Sequence, residues 1–573
     1  MADPTQTNPA EGVPSQTTGI EQTPPNDWTI ERLFAVPGVA ARTMPEPTEP
    51  VDMEEEWAII ELEKYSTQHL EAYKAQIDPR RNVEIENALA ASQFKRTLSA
   101  WHLLFCRPFP LEIIQHIFYL FVYSAESLQE INRNRLRLTW VCRDWRAVAI
   151  NHKYLWNTLC FGGQPPWAST MIALERAGNA LLHVRIMDIS GPMPNPSHEE
   201  TVDDDIGQPV ALTVKQVEYL LSKLLRKISQ IRTMVVHLKV WQTAFTVLTR
   251  LNAGGRLDRL MHFEIRRGDA LITNALQVHG TQLYQLPTVE LGNGFMNDLQ
   301  TLVLDGMHIH WPGLHLESLC DLELRLIPIL HFPLAHEFRR TLASCSGTLR
   351  NLRIESTALR EEDDGEEGPF LPIVLDRLDQ ISISRLTPAY VRWVLSQFRA
   401  PTVTKLNLNT LGAYDAVVLL EWLTTICRFP LVEHLGIVDC FIHNSEDGKA
   451  AVVRWLETMP RVKYIRTGIV SRNFLDAFAM SPWDYYDTRP EGVPPAILPA
   501  LKEVVFEYQD TADVVSFIEG RERLKAPLDV VKLSPGWRAQ PNWVEGYERI
   551  KATGVRVDLI GHCGHTHTVP GVN

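Results

Sequence analysis

The chain has 573 residues, of which 45% are hydrophobic and 22% are charged, and its formal net charge is −13. This length exceeds what one compact core supports, so the chain is expected to form two to four structural units. The composition excludes a protein that is disordered throughout or embedded in a membrane.

The sequence predicts a protein that stays inside the cell. No run of 18 apolar residues occurs, and the first residues lack the basic patch and apolar segment of a secretory signal. The eight cysteines include no Cys-x-x-Cys pair, which is typical of reduced thiols rather than a disulfide framework. We expect no membrane partner and a location in the cytoplasm, the nucleus or both.

Residues 1–51 predict a disordered acidic tail, because proline is frequent and large apolar side chains are few. Apolar residues at helical spacing then predict a helical hairpin over 52–106. Its first helix begins at Asp52 and ends near Pro79, with an apolar stripe of Ile59, Leu62, Ser66, Leu70, Tyr73 and Ile77. Its second helix runs from about Asn82 to Phe105, with a stripe of Ile85, Leu89, Phe94, Leu98, Trp101 and Phe105.

Residues 107–161 contain the most informative pattern of the chain. Pro110 and Glu112 are typical of a helix start, and the following residues to Val122 are apolar nearly all round. A second helix with Trp145 follows, and then Leu155-Trp156. A unit of about 50 residues with so much apolar surface is only marginally stable alone, so it predicts a partner.

This stretch resembles the F-box family in three pieces that occur in the family's order. The pieces are Phe109-Pro110-Leu111-Glu112-Ile113-Ile114-x-x-Ile117-Phe118, Val141-Cys142-Arg143-Asp144-Trp145-Arg146-Ala147-Val148-Ala149 and Leu155-Trp156. Phe109 and Ile114 replace the usual leucines. The longer interval from Tyr123 to Trp140, and a helical hairpin ahead of the box, resemble large fungal F-box families.

The resemblance implies a binding role rather than catalysis. In the family, the box docks on the Skp-type adaptor of a cullin-based (SCF) ubiquitin ligase, and the rest of the chain selects a protein substrate, which the sequence does not identify. The implied adaptor-binding residues are Pro110, Leu111, Ile113, Ile114, Ile117, Phe118, Val141, Cys142, Trp145, Leu155 and Trp156. Some of these must instead hold the helices together. The alternative is a non-catalytic interaction scaffold without a role in ubiquitination.

Residues 162–562 repeat a short apolar pattern of Leu-x-x-Leu-x-Leu type, which predicts parallel strands stacked as a solenoid. The eight segments begin at Leu260, Leu299, Leu319, Leu349, Leu378, Val403, Val432 and Leu501. Further strands are expected at Leu182–Ile189, Met234–Val240, Val530–Leu533 and Val555–Leu559, and helices at Pro388–Phe398 and Tyr414–Cys427. Only Cys440 occupies the Asn/Cys position that closes a leucine-rich repeat, and Met307 and Thr357 do not fit it.

The predicted fold class is therefore α+β overall. An all-α helical hairpin and an F-box three-helix unit precede an α/β leucine-rich-repeat-like solenoid, and residues 563–573 form a tail. The solenoid carries acidic loop insertions at 199–205 and 361–367. Alternation along the strands predicts a polar face formed by Glu323, Arg325, Arg353, Glu355, Ser382, Ser384, Asn407 and Asn409.

The negative charge is concentrated in three segments. Residues 1–57, 199–205 and 361–367 carry −9, −5 and −6, so the rest of the chain is net +7. An acidic protein surface is therefore a plausible target. A nucleic-acid partner is unlikely on total charge, although the basic remainder weakens that argument.

No pattern in the chain predicts a catalytic or cofactor site. His562-Cys563-Gly564-His565-Thr566-His567 and His308-x-His310 contain metal-binding side chains, but no second half of a zinc site accompanies them. The chain also lacks phosphate-binding glycine loops, Gly-x-Ser-x-Gly and His-Glu-x-x-His. We therefore expect no enzyme activity, no metal and no cofactor.

Overall fold

The structure is a computed structural model that describes residues 53–74, 82–105, 110–125, 127–162, 165–188, 211–254, 257–268, 287–291, 298–328, 331–357, 371–411, 416–426, 428–442, 445–479, 496–540 and 542–559. The predicted N-terminal tail, both acidic insertions and the C-terminal His/Cys cluster lie outside these residues. The chain divides into two compact units, Met1–Ile150 and Asn151–Asn573. No helix in the described part is long and apolar enough to cross a bilayer.

The first unit begins with two helices that pack on each other, α1 at Met53–Lys74 and α2 at Asn82–Phe105. Small hydroxyl side chains lie between them: Thr67 and Ser92 are buried, their oxygens are 3.1 Å apart, and both donate to the Glu63 carbonyl. The start of α2 matches the prediction. Leu62 does not, because its side chain is exposed on the outer face of α1 rather than in the stripe between the helices.

Three further helices complete the first unit, and we call them the three-helix segment. They are α3 at Leu111–Tyr123, α4 at Leu128–Val141 and α5 at Arg143–Asn151. The α4 start is capped by Ser127, whose hydroxyl accepts the Glu130 N–H at 3.2 Å. The Asn134 amide group of α4 donates to the Phe121 carbonyl of α3 at 3.3 Å, which ties the two helices together.

The second unit contains a fourteen-stranded parallel sheet whose neighbouring strands follow chain order. Its strands are β1 Thr158–Phe161, β2 Leu182–Met187, β3 Ile231–Leu238, β4 His262–Arg267, β6 Thr301–Asp305, β8 Asp321–Arg325, β9 Asn351–Glu355, β11 Gln380–Ser384, β13 Lys405–Leu411, β14 His434–Cys440, β15 Tyr464–Gly468, β16 Glu503–Glu507, β17 Val530–Leu533 and β18 Arg556–Leu559. Two short pairs lie apart from it, formed by β5 Val289–Glu290 with β7 Ile309–His310 and by β10 Ile373–Val374 with β12 Phe398–Arg399.

Helices connect many of these strands. They are α6 Ala168–Arg176, α7 Val214–Leu224, α8 Trp241–Ala253, α9 Ala335–Ser344, α10 Pro388–Ser396, α11 Ala416–Thr425, α12 Glu446–Glu457, α13 Arg472–Phe478, α14 Thr511–Arg523 and α15 Trp543–Ala552. The chain order in the sheet requires each connection to return to the same edge, as in βαβ units. The result is a mixed helix and strand fold with one large parallel sheet, which agrees with the predicted α+β class at this coarse level.

Side chains alternate along the strands between a buried apolar face and a polar face. In β8, Leu322 and Leu324 are buried, whereas Asp321, Glu323 and Arg325 face the other side. The apolar residues of neighbouring strands are in register, so Leu302, Leu322, Leu352 and Ile381 form one continuous buried row. The sequence pattern therefore located all eight repeat strands and the four additional ones, but it missed β1 and β15.

At the ends of several strands, one residue has a left-handed backbone conformation. These residues occupy one row across the sheet. The row contains Gly306, Leu326, Ser356, Arg385, Asp439, Ile469 and Tyr508. The Leu326 N–H donates to the Glu355 carbonyl at 2.9 Å, and the Ser356 N–H donates to the Ser384 carbonyl at 3.0 Å. The strand ladder therefore continues through the turn, while the chain leaves the sheet.

The residue after this row closes the turn, and here the sequence interpretation needs correction. Cys440 does bond the neighbouring strand, because its Sγ donates to the Leu408 carbonyl at 3.4 Å. Thr357 also follows the row, and its hydroxyl accepts the Ile327 N–H at 3.3 Å. Gln509 accepts the Val470 N–H at 3.1 Å. Side chains of three types therefore hydrogen-bond backbone groups at this position: the Cys440 thiol donates to a carbonyl, whereas Thr357 and Gln509 accept N–H groups.

Candidate functional site

The first candidate site lies on α3, whose start is fixed by the local sequence. Pro110 precedes the helix and its carbonyl accepts the N–H groups of Ile113 and Ile114 at 3.0 and 3.3 Å. Glu112 in the first turn complements the positive end of the helix dipole. This start sets which face of α3 each following side chain occupies.

One face of α3 presents an apolar stripe that none of the described residues covers fully. Ile113, Ile117 and Leu120 are 47%, 45% and 55% exposed, and we call these three residues the α3 stripe. Their spacing of four and three residues places them on one side of the helix. Pro110 and Leu111 are also exposed at the helix start, and Ile114 is half-buried beside the stripe.

The opposite face of α3 forms the interior of the three-helix segment. Phe118 and Val122 are fully buried. The Phe118 ring lies 4.7 Å from the half-buried Trp145 ring of α5, with an angle of 57° between the ring planes. Of the implied adaptor-binding residues, Phe118 and Trp145 therefore contact each other inside this chain.

Cys142 and Val141 lie at the junction of α4 and α5. Cys142 is extended, and its Sγ accepts the Trp145 N–H at 3.4 Å, so the thiol caps the start of α5. Arg146 then donates to the Thr139 carbonyl at 2.7 Å, which holds α5 against the end of α4. Both Val141 and Cys142 are half-buried. The role of Cys142 that the structure displays is a capping one.

Leu155 and Trp156 belong to the second unit, because the unit boundary falls between Ile150 and Asn151 rather than at 161. Both side chains are buried, and the Arg176 guanidinium lies 4.4 Å from the centre of the Trp156 ring. Strand β1 follows directly and pairs with β2. These two residues therefore pack within the second unit, and they are not part of an exposed docking surface.

Three exposed apolar residues of the three-helix segment were missed by the motif comparison. Leu120 lies one turn beyond Ile117, and Leu136 and Trp140 share one face of α4 at a spacing of four residues. Trp140 is 63% exposed, which is unusual for so large an apolar side chain. A helical-wheel comparison of 111–123 and 128–141 would have found all three, because the spacing signal is in the sequence.

The second candidate site is the polar face of the sheet. All eight residues predicted for this face lie on it, and register places them in two adjacent rows. One row contains Glu323, Arg353, Ser382 and Asn407, and the other contains Arg325, Glu355, Ser384 and Asn409. The face is charged over β8 and β9 but carries hydroxyl and amide groups over β11 and β13.

Ion pairs link the charged part of this face across four strands. Arg325 lies 2.9 Å from Glu355 and 3.5 Å from Glu323, and Arg353 lies 2.9 Å from Glu323. Arg266 extends the network to Glu264 at 2.5 Å and to Asp305 at 3.8 Å. Since positive and negative groups alternate, this part of the face is close to neutral and selects no ligand of one charge.

Two carboxyl groups in this network have shifted pKa values in opposite directions. Burial would raise the pKa of Glu264, but hydrogen bonds from His237 and His262 and the charge of Arg266 outweigh it and hold that pKa well below its usual range. Burial raises the pKa of Asp305 to about 6, although Arg325 and Arg266 oppose the shift. Asp305 is thus the carboxyl group of this face whose charge is most costly to keep.

The possible ligand pair His308-x-His310 is not assembled in the structure. The buried His308 ring accepts a hydrogen bond from the Arg267 guanidinium at 2.8 Å, and burial lowers its pKa to about 3. His310 lies 3.8 Å from Glu290. Within the described ranges no group of three or more His, Cys, Asp or Glu side chains could hold a metal ion.

Comparison with known proteins adds no relative. No family model matches the chain, and no curated protein matches it significantly.

Proposed function

We propose that this chain is the substrate-recognition subunit of a cullin-type ubiquitin ligase. In this proposal the three-helix segment is an F-box that binds a Skp-type adaptor, and the second unit is a leucine-rich-repeat-like solenoid that binds the protein to be ubiquitinated. The observation that carries the proposal is the α3 stripe. Two of its three residues, Ile113 and Ile117, are ones that the family motif implies for adaptor binding, and the described residues leave all three exposed.

Covering the α3 stripe would contribute to the free energy of binding a partner. Covering a half-exposed aliphatic side chain contributes about 1 kcal/mol, so the three stripe residues together contribute about 3 kcal/mol before neighbouring contacts are added. Leu111, Leu136 and Trp140 are further exposed apolar side chains of the same segment. Single exposed apolar residues are normal on a protein surface, but a stripe of them on one short helix is typical of a binding surface.

The three-helix segment carries more basic than acidic side chains, which favours an acidic partner. The exposed bases Arg133, Arg143 and Arg146 lie on α4 and α5. The acidic residues of α3 to α5 are Glu112, Glu130 and Asp144, fewer than the five arginines of the same helices. Such a charge excess affects the association rate and partner choice more than the final affinity.

The second unit supports the receptor part of the proposal. Its strands follow chain order in one sheet, so each successive segment of the chain adds one strand and its connection. The polar face of the sheet therefore extends over many strands. A long repeated surface suits the binding of a protein segment. The chemistry of ubiquitin transfer would be supplied by other subunits, and this chain would act by raising the local concentration of the target.

The experiment that tests the proposal is co-purification of the full chain with a Skp-type adaptor. Ile117→Asp places a charge at the centre of the stripe and is expected to weaken binding at least about tenfold. Val418→Asp is the matched control, because Val418 is a half-exposed aliphatic residue on α11 in the other unit. Absence of adaptor binding by the wild-type chain, or equal binding by Ile117→Asp, would overturn the proposal.

A second measurement separates a ligase receptor from an interaction scaffold. Deleting residues 107–150 should lengthen the half-life of proteins that bind the second unit, because they would no longer be brought to the ligase. Unchanged half-lives, with adaptor binding intact in the full chain, would favour the scaffold alternative.

A further inference from the structure

Three exposed apolar side chains lie at the carboxyl ends of β14, β15 and β16, and we call them the edge patch: Phe441, Ile469 and Tyr508. Val438 is in register with Gly468, and Gly468 with Glu507. The next residues, Asp439, Ile469 and Tyr508, are therefore neighbours across the three strands. The Ser471 N–H donates to the Cys440 carbonyl at 3.2 Å, which places Phe441 at the same edge.

Ile469 shares the left-handed conformation of the row at the strand ends, but it is a β-branched residue with an exposed side chain. Its φ is 49°, in the left-handed region where a β-branched residue is a genuine outlier and glycine is the favourable choice. Its side chain is nevertheless 44% exposed, so the strained backbone does not direct it into the core. Since the same conformation recurs at six other positions of the row, it belongs to the fold, and its effect at Ile469 is to leave an apolar side chain at the surface.

The Tyr508 side chain packs on one side against Gly536, although it is 65% exposed. Its φ is 55°, and a Cβ placed on Gly536 would come within 3.3 Å of its ring, so the ring lies against the Gly536 backbone. A ring that already packs on one side has less conformational freedom to lose when a partner covers it. Exposed, ordered tyrosines are frequent energetic centres of protein interfaces.

The surroundings of the edge patch are negatively charged. The carboxylates are Asp439 in β14, Glu446 and Asp447 in the first turn of α12, Asp476 in α13, and Asp510 and Asp513 at the start of α14. The bases near the starts of these helices and in the adjoining turn are Lys449, Arg472 and Arg538, whereas Arg454, Arg521 and Arg523 lie in the last turns of α12 and α14. Arg472 lies between Asp476 and Asp513, at 3.8 and 4.0 Å, and so balances only part of the charge.

The titration of Asp513 reflects this negative environment. Burial and then the charge of Asp510 raise the pKa of Asp513, while Arg472 opposes the shift. Acidic residues in first turns also stabilise helices, but they leave the same negative field at the carboxyl edge of the sheet. This field repels nucleic acid and attracts a basic polypeptide.

We propose that the edge patch binds a basic polypeptide segment that inserts a leucine or aromatic side chain among Phe441, Ile469 and Tyr508, with its Lys or Arg residues beside Asp439 and Asp510. The inference deepens the proposed function, on which it rests for the role of the bound segment as part of the ubiquitination target. It assigns target recognition to β14–β16 rather than to the neutral ion-pair network over β4–β9.

Short fluorescein-labelled peptides provide the test, with the full chain as receptor and anisotropy as readout. One set has a central Leu or Phe flanked by Lys and Arg, a second has Glu in the flanks, and a third has Ser at the centre. We expect the first set to bind best. Ile469→Gly combined with Tyr508→Ser should weaken its binding at least about tenfold, whereas Leu371→Ser, at an exposed site elsewhere, should leave it unchanged.

Two charge variants test the proposed attraction between the acidic residues and the basic peptide without disturbing the backbone. Asp439→Asn keeps a residue that tolerates the left-handed conformation, and Asp510→Asn keeps a helix cap. Together they should weaken binding of the basic peptides about threefold and reduce its dependence on salt. Equal binding of the basic and acidic peptide sets, or no effect of the Ile469 and Tyr508 changes, would overturn the inference.

Folding and adaptor binding are measured on the same variants. Ile469→Gly alone should leave the thermal midpoint unchanged or raise it, because glycine removes the strain at this φ. A fall in the midpoint together with lost binding would assign the residue a structural role and overturn its place in the patch. Failure of peptide binding with normal adaptor binding contradicts only this inference, whereas failure of adaptor binding contradicts the proposed function.

Discussion

The Phe118 ring of α3 packs against the Trp145 ring of α5, with 4.7 Å between the ring centroids. These residues come from two different pieces of the three-part motif, so the motif encodes the interior of the three-helix segment as well as its surface. The α3 stripe lies on the opposite side of the helix and can be tested separately.

Phe118→Ala should unfold or loosen the three-helix segment, because it removes a fully buried aromatic ring at a cost of about 3–5 kcal/mol. Hydrogen exchange followed by mass spectrometry should then show loss of protection over residues 111–151. Leu120→Ala is the control on the same helix, since its side chain is more than half exposed. Equal loss of protection in both variants would contradict the division between interior and stripe.

Asp305 should make the unfolding free energy depend on pH in a defined direction. Its pKa is raised from 3.8 to about 6 in the folded protein, so the folded state holds this proton over a pH range where the unfolded state has lost it. The group therefore lowers stability as pH rises from about 4 to about 6, and the penalty persists above that range.

Asp305→Asn removes this penalty. Relative to the wild type, its unfolding free energy should rise between pH 4 and pH 7 by an amount on the order of 2 kcal/mol. Urea denaturation at a series of pH values measures the difference directly. Parallel pH profiles for the two proteins would show that Asp305 is not the strained carboxyl group that its burial indicates.

Gln509→Ala should destabilise the second unit by about 1–3 kcal/mol. The Gln509 amide accepts the Val470 N–H at 3.1 Å and donates to the Val470 carbonyl at 3.4 Å, and both backbone groups are buried. Removing the amide leaves them unsatisfied. The thermal midpoint of unfolding measures the loss of stability. Lys502→Ala is the control, because Lys502 is exposed and adjoins β16, the strand that precedes Gln509. Equal midpoints for the two variants would contradict the hydrogen-bonding role of Gln509.

Two glycines should respond to alanine in opposite directions. A Cβ at Gly520 of α14 would lie 2.6 Å from the Ala479 Cβ, so Gly520→Ala must push the two segments apart and should cost about 1–3 kcal/mol. At Gly347 a Cβ meets nothing within 4 Å, so Gly347→Ala should be neutral or stabilise by about 0.4–1 kcal/mol. Differential scanning calorimetry compares them, and a neutral Gly520→Ala would show that the approach is not required.

The strands of the second unit were predictable because buried leucines recur with fixed spacing. The strand β15 was missed for a physical reason: its pattern reads Val462-x-x-Ile465-x-Thr467, and a buried threonine replaces the final apolar residue. Strand β1 follows the pattern as Trp156-x-x-Leu159-x-Phe161, but its residues were assigned to the preceding motif. Both strands have the buried positions of the repeat. In β15 one of them holds a threonine, and in β1 they were assigned to the motif instead.

The candidate sites were less predictable than the fold, because a motif does not state which side chains face outward. Ile113 and Ile117 are exposed and Phe118 is buried, although all three are large apolar residues in one helix. The left-handed conformation of Ile469 and Tyr508 could not be foreseen, since neither residue favours it. Side-chain exposure and backbone conformation at the strand ends are set only when the strands are in register in the folded sheet.

The affinity of the full chain for a Skp-type adaptor, measured by biolayer interferometry, tests the central claim most directly. Trp145 contacts Phe118 inside the segment, so the exposed pair Ile113→Asp with Ile117→Asp is a sharper test than a change at Trp145. We expect stable binding by the wild type and by Val418→Asp, and loss of at least about tenfold in affinity for the stripe variant. No measurable binding by the wild type, or equal affinity for all three proteins, would contradict it.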